Sequence, residues 1–186
     1  SATGNQLSGM AKPVTTGEQW AGDFTYIRTH TGWLYHAVVI DLFSRRVVGS
    51  AFSSRRNAEL TKGALLNAIQ RQKPKRGCLF HSDQGIEYAA HEFRDALLAS
   101  GFTRSMSRKG KPKGKPKGKP KGKPKDNAAV ESYFHTMKAE LIHQMKFKDS
   151  IEAVANIAEY IAFYNKERIH SSLGYHSPEN YEKLHA

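Results

Sequence analysis

Hydrophobic and polar positions divide the chain into strands first and helices afterwards. Residues 24–29 have strand-like composition and end at the turn His30-Thr31-Gly32. Residues 33–43 are almost continuously apolar, the pattern of a strand buried on both faces. A third strand, residues 46–53, follows a tight connection at Ser44-Arg45, and three short strands in succession form an antiparallel meander. From Asn57, an N-cap candidate, the period changes. Leu60, Ala64, Leu65, Ala68 and Ile69 recur at three- and four-residue spacing until Lys73-Pro74-Lys75-Arg76-Gly77 stops the helix. Residues 78–81 read as a fourth strand, 91–100 as a helix closed by Gly101, and 102–106 as a fifth strand. Asp126 or Asn127 opens a helix whose stripe is Val130, Phe134, Met137, Leu141 and Met145. Residues 150–164 carry Ile151, Val154, Ile157, Ile161 and Phe163, and a polar tail containing Pro178 wraps over the surface. The order βββαβαβα predicts an α/β fold with a mixed five-stranded sheet flanked by helices. Trp33 and the tyrosines and phenylalanines of the strands fit its core.

Two segments stand outside this pattern. Residues 1–19 have no periodicity and read as a linker or tail before a core spanning 20–181, with 182–186 as a short C-terminal tail. Residues 109–125 repeat Lys-Pro-Lys-Gly. Proline there removes amides and opposes helix, glycine adds chain entropy, and like-charged lysines extend the segment, so it reads as a solvated inserted loop.

That loop changes the meaning of the charge. The formal net charge is +12, but nine of the 29 basic residues lie in the repeat. The other 20 face 17 acids, so net charge alone does not make the folded part a partner for a polyanion. Cys78 is alone in a short apolar run, which excludes a disulfide or cysteine-rich zinc site and suits a small buried side chain. No stretch approaches eighteen apolar residues and residues 1–20 hold no signal core, so the expectation is a soluble cytoplasmic protein with no membrane partner.

The candidate chemistry lies in three acids. Asp23 opens the first strand, Asp83 follows the fourth, and Glu131 falls in the first two turns of a helix. Glu131, His135 and Lys138 share one helical face. Acids converging from rigid elements suit Mg²⁺, which prefers carboxylate oxygens and binds phosphate oxygen simultaneously. Taken singly, each has an ordinary explanation: a strand-end residue, a turn in Ser82-Asp83-Gln84-Gly85, and an acid favoured by a helix dipole. His81 has the alternatives of a backbone-bonded strand-end imidazole and a support near phosphate. Asn127 has those of a helix cap and a DNA contact, and Lys138 those of a solvated side chain and a phosphate contact.

The contexts of the acids carry more. They are Trp20…Asp23-Phe24-Thr25-Tyr26-Ile27, His81-Ser82-Asp83-Gln84-Gly85…Tyr88 and Asp126-Asn127-Ala128…Glu131-Ser132-Tyr133-Phe134…Lys138, with Ile40-Asp41-Leu42-Phe43-Ser44-Arg45-Arg46, Ser105-Met106-Ser107-Arg108-Lys109-Gly110 and Tyr164-Asn165…Arg168…His170 beside them. Asp83 and Glu131 are separated by 47 residues, and subtracting three copies of the tetrapeptide leaves 35. From Trp20 to Tyr181 the sequence resembles the catalytic core of bacterial insertion-sequence transposases, the DDE branch similar to retroviral integrases. The resemblance implies an RNase H-like fold in which Asp23, Asp83 and Glu131 are the catalytic acids and hold two Mg²⁺ or Mn²⁺ ions. It further implies strand nicking by water, attack of a 3′ hydroxyl on DNA, and a homo-oligomer acting on double-stranded transposon ends and target at the bacterial nucleoid. Gln84, Tyr88, Arg108, Lys109 and Lys138 would then touch DNA, with His81 and Asn127 supporting. Arg168 and His170 are explained by packing of the C-terminal tail. The family carries a helix-turn-helix region before its core, which residues 1–19 do not supply, and a much shorter segment where this chain has the lysine repeat. An inactive DNA-binding remnant and an RNase H-like nuclease are the competing readings.

Overall fold

The computed structural model describes residues 11–83, 85–106 and 127–186. Gln84, Arg108, Lys109 and the lysine repeat lie outside the described residues. β1 (Gln19–Thr29), β2 (Gly32–Asp41) and β3 (Val47–Ser53) form the antiparallel meander, and β4 (Leu79–Ser82) and β5 (Thr103–Met106) join it in parallel. The sheet order is β3-β2-β1-β4-β5. Between these strands come α1 (Ala58–Gln72), a single turn α2 (Ile86–Ala89) and α3 (His91–Ala99). After them come α4 (Ala128–Glu140), α5 (Ser150–Lys166) and α6 (Pro178–Leu184).

Helices cover both faces of the sheet. Ala37 and Val39 of β2 pack with Trp20 and Phe80 against Leu60 and Leu65 of α1 and Phe93 and Leu97 of α3. Val38 and Ile40 face the other way, with Ala21 and Ile27, onto Val130, Tyr133 and Met137 of α4 and Ile157 of α5. This double burial is why β2 is apolar without alternation. Gly49 lets α1 lie close: a Cβ there would stand 2.3 Å from the carbonyl oxygen of Ala64. Asn57 caps α1, its Oδ1 accepting from the Leu60 amide at 3.1 Å, and Asp149 caps α5 by accepting from the Glu152 amide at 2.9 Å. The Arg46 guanidinium donates to Glu179 and Glu182 at 3.2 and 3.0 Å, which fastens α6 to the loop before β3. No helix of the described residues is long and apolar enough to cross a membrane.

Several sequence expectations need correcting. β1 begins at Gln19, so Asp23 is its fifth residue and does not open it. Trp20 and Ala21 are paired on both sides, to β2 and to β4, and central pairing overrides their weak local pattern. α2 and α6 were not foreseen, and α4 ends at Glu140, so Met145 is not on its stripe. Tyr26 and Trp33 are 59% and 47% exposed, so they are not core residues. Arg168 donates to both carboxylate oxygens of Glu140, and His170 stacks edge-on against Tyr164, as tail packing requires.

Candidate active site

Strand register positions the first two acids. Side chains alternate along β1, and Asp23 shares its face with Ala21 and Ile27, the face covered by α4. β1 and β4 run parallel with Gln19 opposite Leu79, Trp20 opposite Phe80 and Ala21 opposite His81. Asp23 and Asp83 each lie two residues beyond the last pair of that ladder, Asp83 just past the end of β4, and the charge of Asp83 reaches the Asp23 carboxyl. The intervening Gly22 has a packing reason. A Cβ there would stand 2.6 Å from Cζ of Phe80 and 3.4 Å from the Tyr88 hydroxyl.

α4 supplies the third acid. Val130, Phe134 and Met137 turn one stripe of the helix into the core, leaving Glu131 in the first turn and exposed. Immediately before the helix, Asn127 occupies the cap position without making a capping bond. Its amide Nδ2 instead donates to Oδ2 of Asp23 at 3.4 Å, which joins the start of α4 to β1 and corrects the capping reading.

Electrostatics ties the acids together. Burial pushes the Asp23 carboxyl up to about 7, and the negative charges of Asp83, Glu131 and Glu87 add to the shift. The Phe24 amide, donating to Oδ1 of Asp23 at 2.8 Å, opposes it. Among the described residues no basic side chain forms an ion pair with Asp23, Asp83 or Glu131. Asp83 is exposed and accepts from the Gly85 amide at 2.9 Å. Also among the described residues, no three His, Cys, Asp or Glu side chains are gathered into a cluster able to hold an ion. The geometry therefore establishes one side of the sheet and mutual electrostatic reach, not a closed ligand cage. The donor set itself fits a hard divalent cation: carboxylate oxygens without a balancing charge, beside Oδ1 of Asn127, which is buried with no partner.

The remaining candidates separate clearly. His81 is fully buried, with Nδ1 3.0 Å from the Ser105 hydroxyl on β5. Tyr88 is 1% exposed and packs on Phe80 and Phe93; its ring is part of the core and cannot serve as a DNA contact. Lys138 places Nζ 5.8 Å from the Tyr26 ring centroid. Sequence reasoning missed Glu87 and Arg56. Glu87 is a buried fourth carboxylate paired with Arg56, whose guanidinium lies 5.0 Å above the Phe24 ring. An acid four residues beyond Asp83 was the visible signal for Glu87; Arg56, 31 residues away, gave none.

The family model of the integrase core domain matches residues 14–112, and a second integrase core domain model matches residues 113–178. The chain is 38% identical over 183 residues to the transposase for insertion sequence element IS904 of Lactococcus lactis, covering 98% of this chain and 68% of that protein. It is 41% identical over 166 residues to transposase InsF for insertion sequence IS3A of Escherichia coli, covering 89% of this chain and 54% of the relative. The chain thus spans about half to two thirds of the length of these relatives. In fold it is similar to a chain of the simian T-cell lymphotropic virus intasome in complex with PP2A regulatory subunit B56 gamma. There the TM-score is 0.71 at 16% identity, over 93% of this chain and 56% of that one. It is also similar to the HTLV-2 integrase catalytic core domain in complex with magnesium, with a TM-score of 0.67 at 15% identity over 90% and 97%. The chain belongs to the integrase core family, in the DDE branch that includes the insertion-sequence transposases.

Proposed function

We propose that this core nicks and joins strands of double-stranded DNA at Asp23, Asp83 and Glu131, acting on transposon ends and target as a homo-oligomer at the bacterial nucleoid. The observation that carries the reading is Asp23. A half-buried carboxyl raised to about 7 by burial and by neighbouring acids is an arrangement that stability alone disfavours. In nicking, a water oxygen bonds to phosphorus and the bond to the 3′ oxygen breaks, leaving a 3′ hydroxyl. In joining, that hydroxyl attacks a target phosphodiester and expels another 3′ oxygen.

Asp23, Asp83 and Glu131 would hold two Mg²⁺ or Mn²⁺ ions, which would supply charge stabilisation to the attacking and leaving oxygens, and Asn127 orients Asp23. Glu87, paired with Arg56, stays outside the ligand set, and its charge still contributes to the raised Asp23 carboxyl. The residues hold the donors on rigid strand and helix, with Asp83 on the short segment leaving β4.

The test is a substrate panel with labelled DNA duplex and RNA–DNA hybrid in Mg²⁺, using Asp83→Asn as control. Nicking of the duplex by the wild-type chain alone supports the reading. Binding without nicking indicates the inactive remnant, and cleavage confined to the hybrid indicates the nuclease.

A further inference from the structure

The β1–β2 hairpin outruns the rest of the sheet. Among the described residues, pairing of β1 with β4 stops at Ala21, whereas pairing with β2 continues to Thr29. On this projecting part lie Tyr26 and Trp33, which remain 59% and 47% exposed. Their rings meet edge to face, with centroids 5.3 Å apart and planes at 82°. Each ring has its own cation: the Arg28 guanidinium is 5.1 Å from the Trp33 centroid, and Lys138 Nζ is 5.8 Å from that of Tyr26. Neither cation is paired with an acid among the described residues.

Large aromatics left in water forgo the stabilisation of burial, and these two are held in a fixed geometry against each other. Aromatic faces flanked by unpaired cations suit one ligand chemistry: a base that stacks and a phosphate that is neutralised. In a duplex the base faces are already stacked on their neighbours, so an unpaired nucleotide is the better fit. Placement strengthens the match. Tyr26 is three residues from Asp23 on β1 and so leaves the sheet by the opposite face, but Lys138, which reaches its ring, is two turns from Glu131 on α4. Lys138 thereby links the helix bearing one acid to the strand bearing another.

We infer that Tyr26 and Trp33, with Arg28 and Lys138, form a stacking platform for an unpaired DNA strand at the projecting end of the β1–β2 hairpin, joined through Lys138 to the helix that bears Glu131. The inference rests on the DNA-joining reading for its location, while its test needs no catalysis. The platform takes base faces and carries no hydrogen-bond readout of base identity, so its preference is for single-strandedness and not for sequence.

The experiment measures binding of the full chain in EDTA to a labelled oligothymidylate and to an abasic strand of the same length and charge. Both strands meet the same lysines, so their difference isolates stacking. The wild-type chain is expected to bind oligothymidylate about 10-fold more tightly than the abasic strand. Trp33 should be quenched only by the former, Trp20 being fully buried. Tyr26→Ala/Trp33→Ala should bind the two strands equally, and Trp33→Phe, which keeps a ring, should restore most of the preference. Equal binding of both strands by the wild-type chain, or an undiminished preference in the double variant, would overturn the platform. Trp33 quenching in the wild-type chain decides the matter even where the double variant folds poorly. Because EDTA removes catalysis, a failed platform leaves the nicking assay untouched, and a failed nicking assay leaves this result standing.

Discussion

Asp23 and Asp83 each lie two residues beyond the last pair of the parallel β1–β4 ladder, Ala21 opposite His81, so both acids leave that ladder at the same end. Pairing with Val38 of β2 holds Asp23 in the sheet, and Asp83 sits where β4 gives way to the short segment leading to α2. The two acids therefore differ in what their loss does to the fold.

Asp23→Asn should stabilise the ion-free chain at alkaline pH. The folded carboxyl has a pKa of about 7 against 3.8 ordinarily, so the folded state binds more protons between those values. Stability contributed by this group falls as pH rises from about 4 to 7 and stays low above it. Removing the charge should raise the unfolding free energy at pH 8 by about 1–3 kcal/mol, with little change near pH 4. Chemical denaturation of both chains at the two pH values in EDTA measures it. A gain that is the same at both would contradict the assignment.

His36 should give the opposite slope. Burial pushes its imidazole down to about 4 from 6.5, with Nδ1 3.3 Å from the Ala51 carbonyl oxygen and Nε2 buried without a partner. The facing groups are aromatic: Phe52 stacked at 4.4 Å, and Tyr133 and Phe134 edge-on. The unfolded chain takes up the proton first, so stability falls as pH drops from about 6.5 to 4, by up to about 3 kcal/mol. His36→Phe should remove that contribution while keeping the stack on Phe52, leaving the opposing Asp23 slope as the larger one in the window. The half-buried His170, also held near 4, leaves a residual slope. Melting curves across the window for both chains provide the check.

Gly22→Ala should destabilise the fold by about 1–3 kcal/mol, because its Cβ meets a Phe80 ring that is itself buried. It should also slow joining, since the adjacent Asp23 moves with the strand. Urea unfolding joined to an activity assay separates the two effects. An unchanged midpoint would mean that the Phe80 ring moves aside freely.

Deleting residues 111–122 restores the 35-residue spacing and removes six lysines. Metal-dependent activity should survive, since each doubling of a connection's length costs only about 0.6 kcal/mol of closure entropy. If the repeat tethers DNA, the log–log salt slope of binding becomes shallower by about 0.9 for each phosphate that the shortened chain no longer neutralises, at most about five in all. An unchanged slope makes the repeat passive sequence.

Local pattern foretold much of this architecture, and tertiary context decided the rest. The unbroken apolar run of β2 and the Asn57 cap on α1 were legible because both are local consequences of burial and backbone satisfaction. The first half of β1 was not, because Gln19, Gly22 and Asp23 interrupt any period and only pairing on both edges makes that segment a strand. Tyr26 and Trp33 look like core residues in sequence, yet the β1–β4 ladder stops at Ala21 and the β2–β3 ladder at Tyr35, short of Tyr26 and Trp33 respectively, and both remain in solvent. Tyr88 erred the other way: a motif position suggested a surface contact, and the pocket between Phe80 and Phe93 swallowed the ring. The acids were found through their sequence neighbours, while the Arg56–Glu87 pair beside them depends on an approach across 31 residues that no local pattern records.

The most direct test is strand joining of a recessed labelled end into duplex DNA, with Mg²⁺ or EDTA, by the wild-type chain and by Asp23→Asn, Asp83→Asn and Glu131→Gln. Mg²⁺-dependent joined product is expected from the wild-type chain. Each variant should lose it by about a hundredfold or more, while remaining folded and able to bind DNA. Joining that persists in EDTA, or that survives at wild-type rate in any one of the three variants, would contradict the assignment of these acids as the catalytic centre.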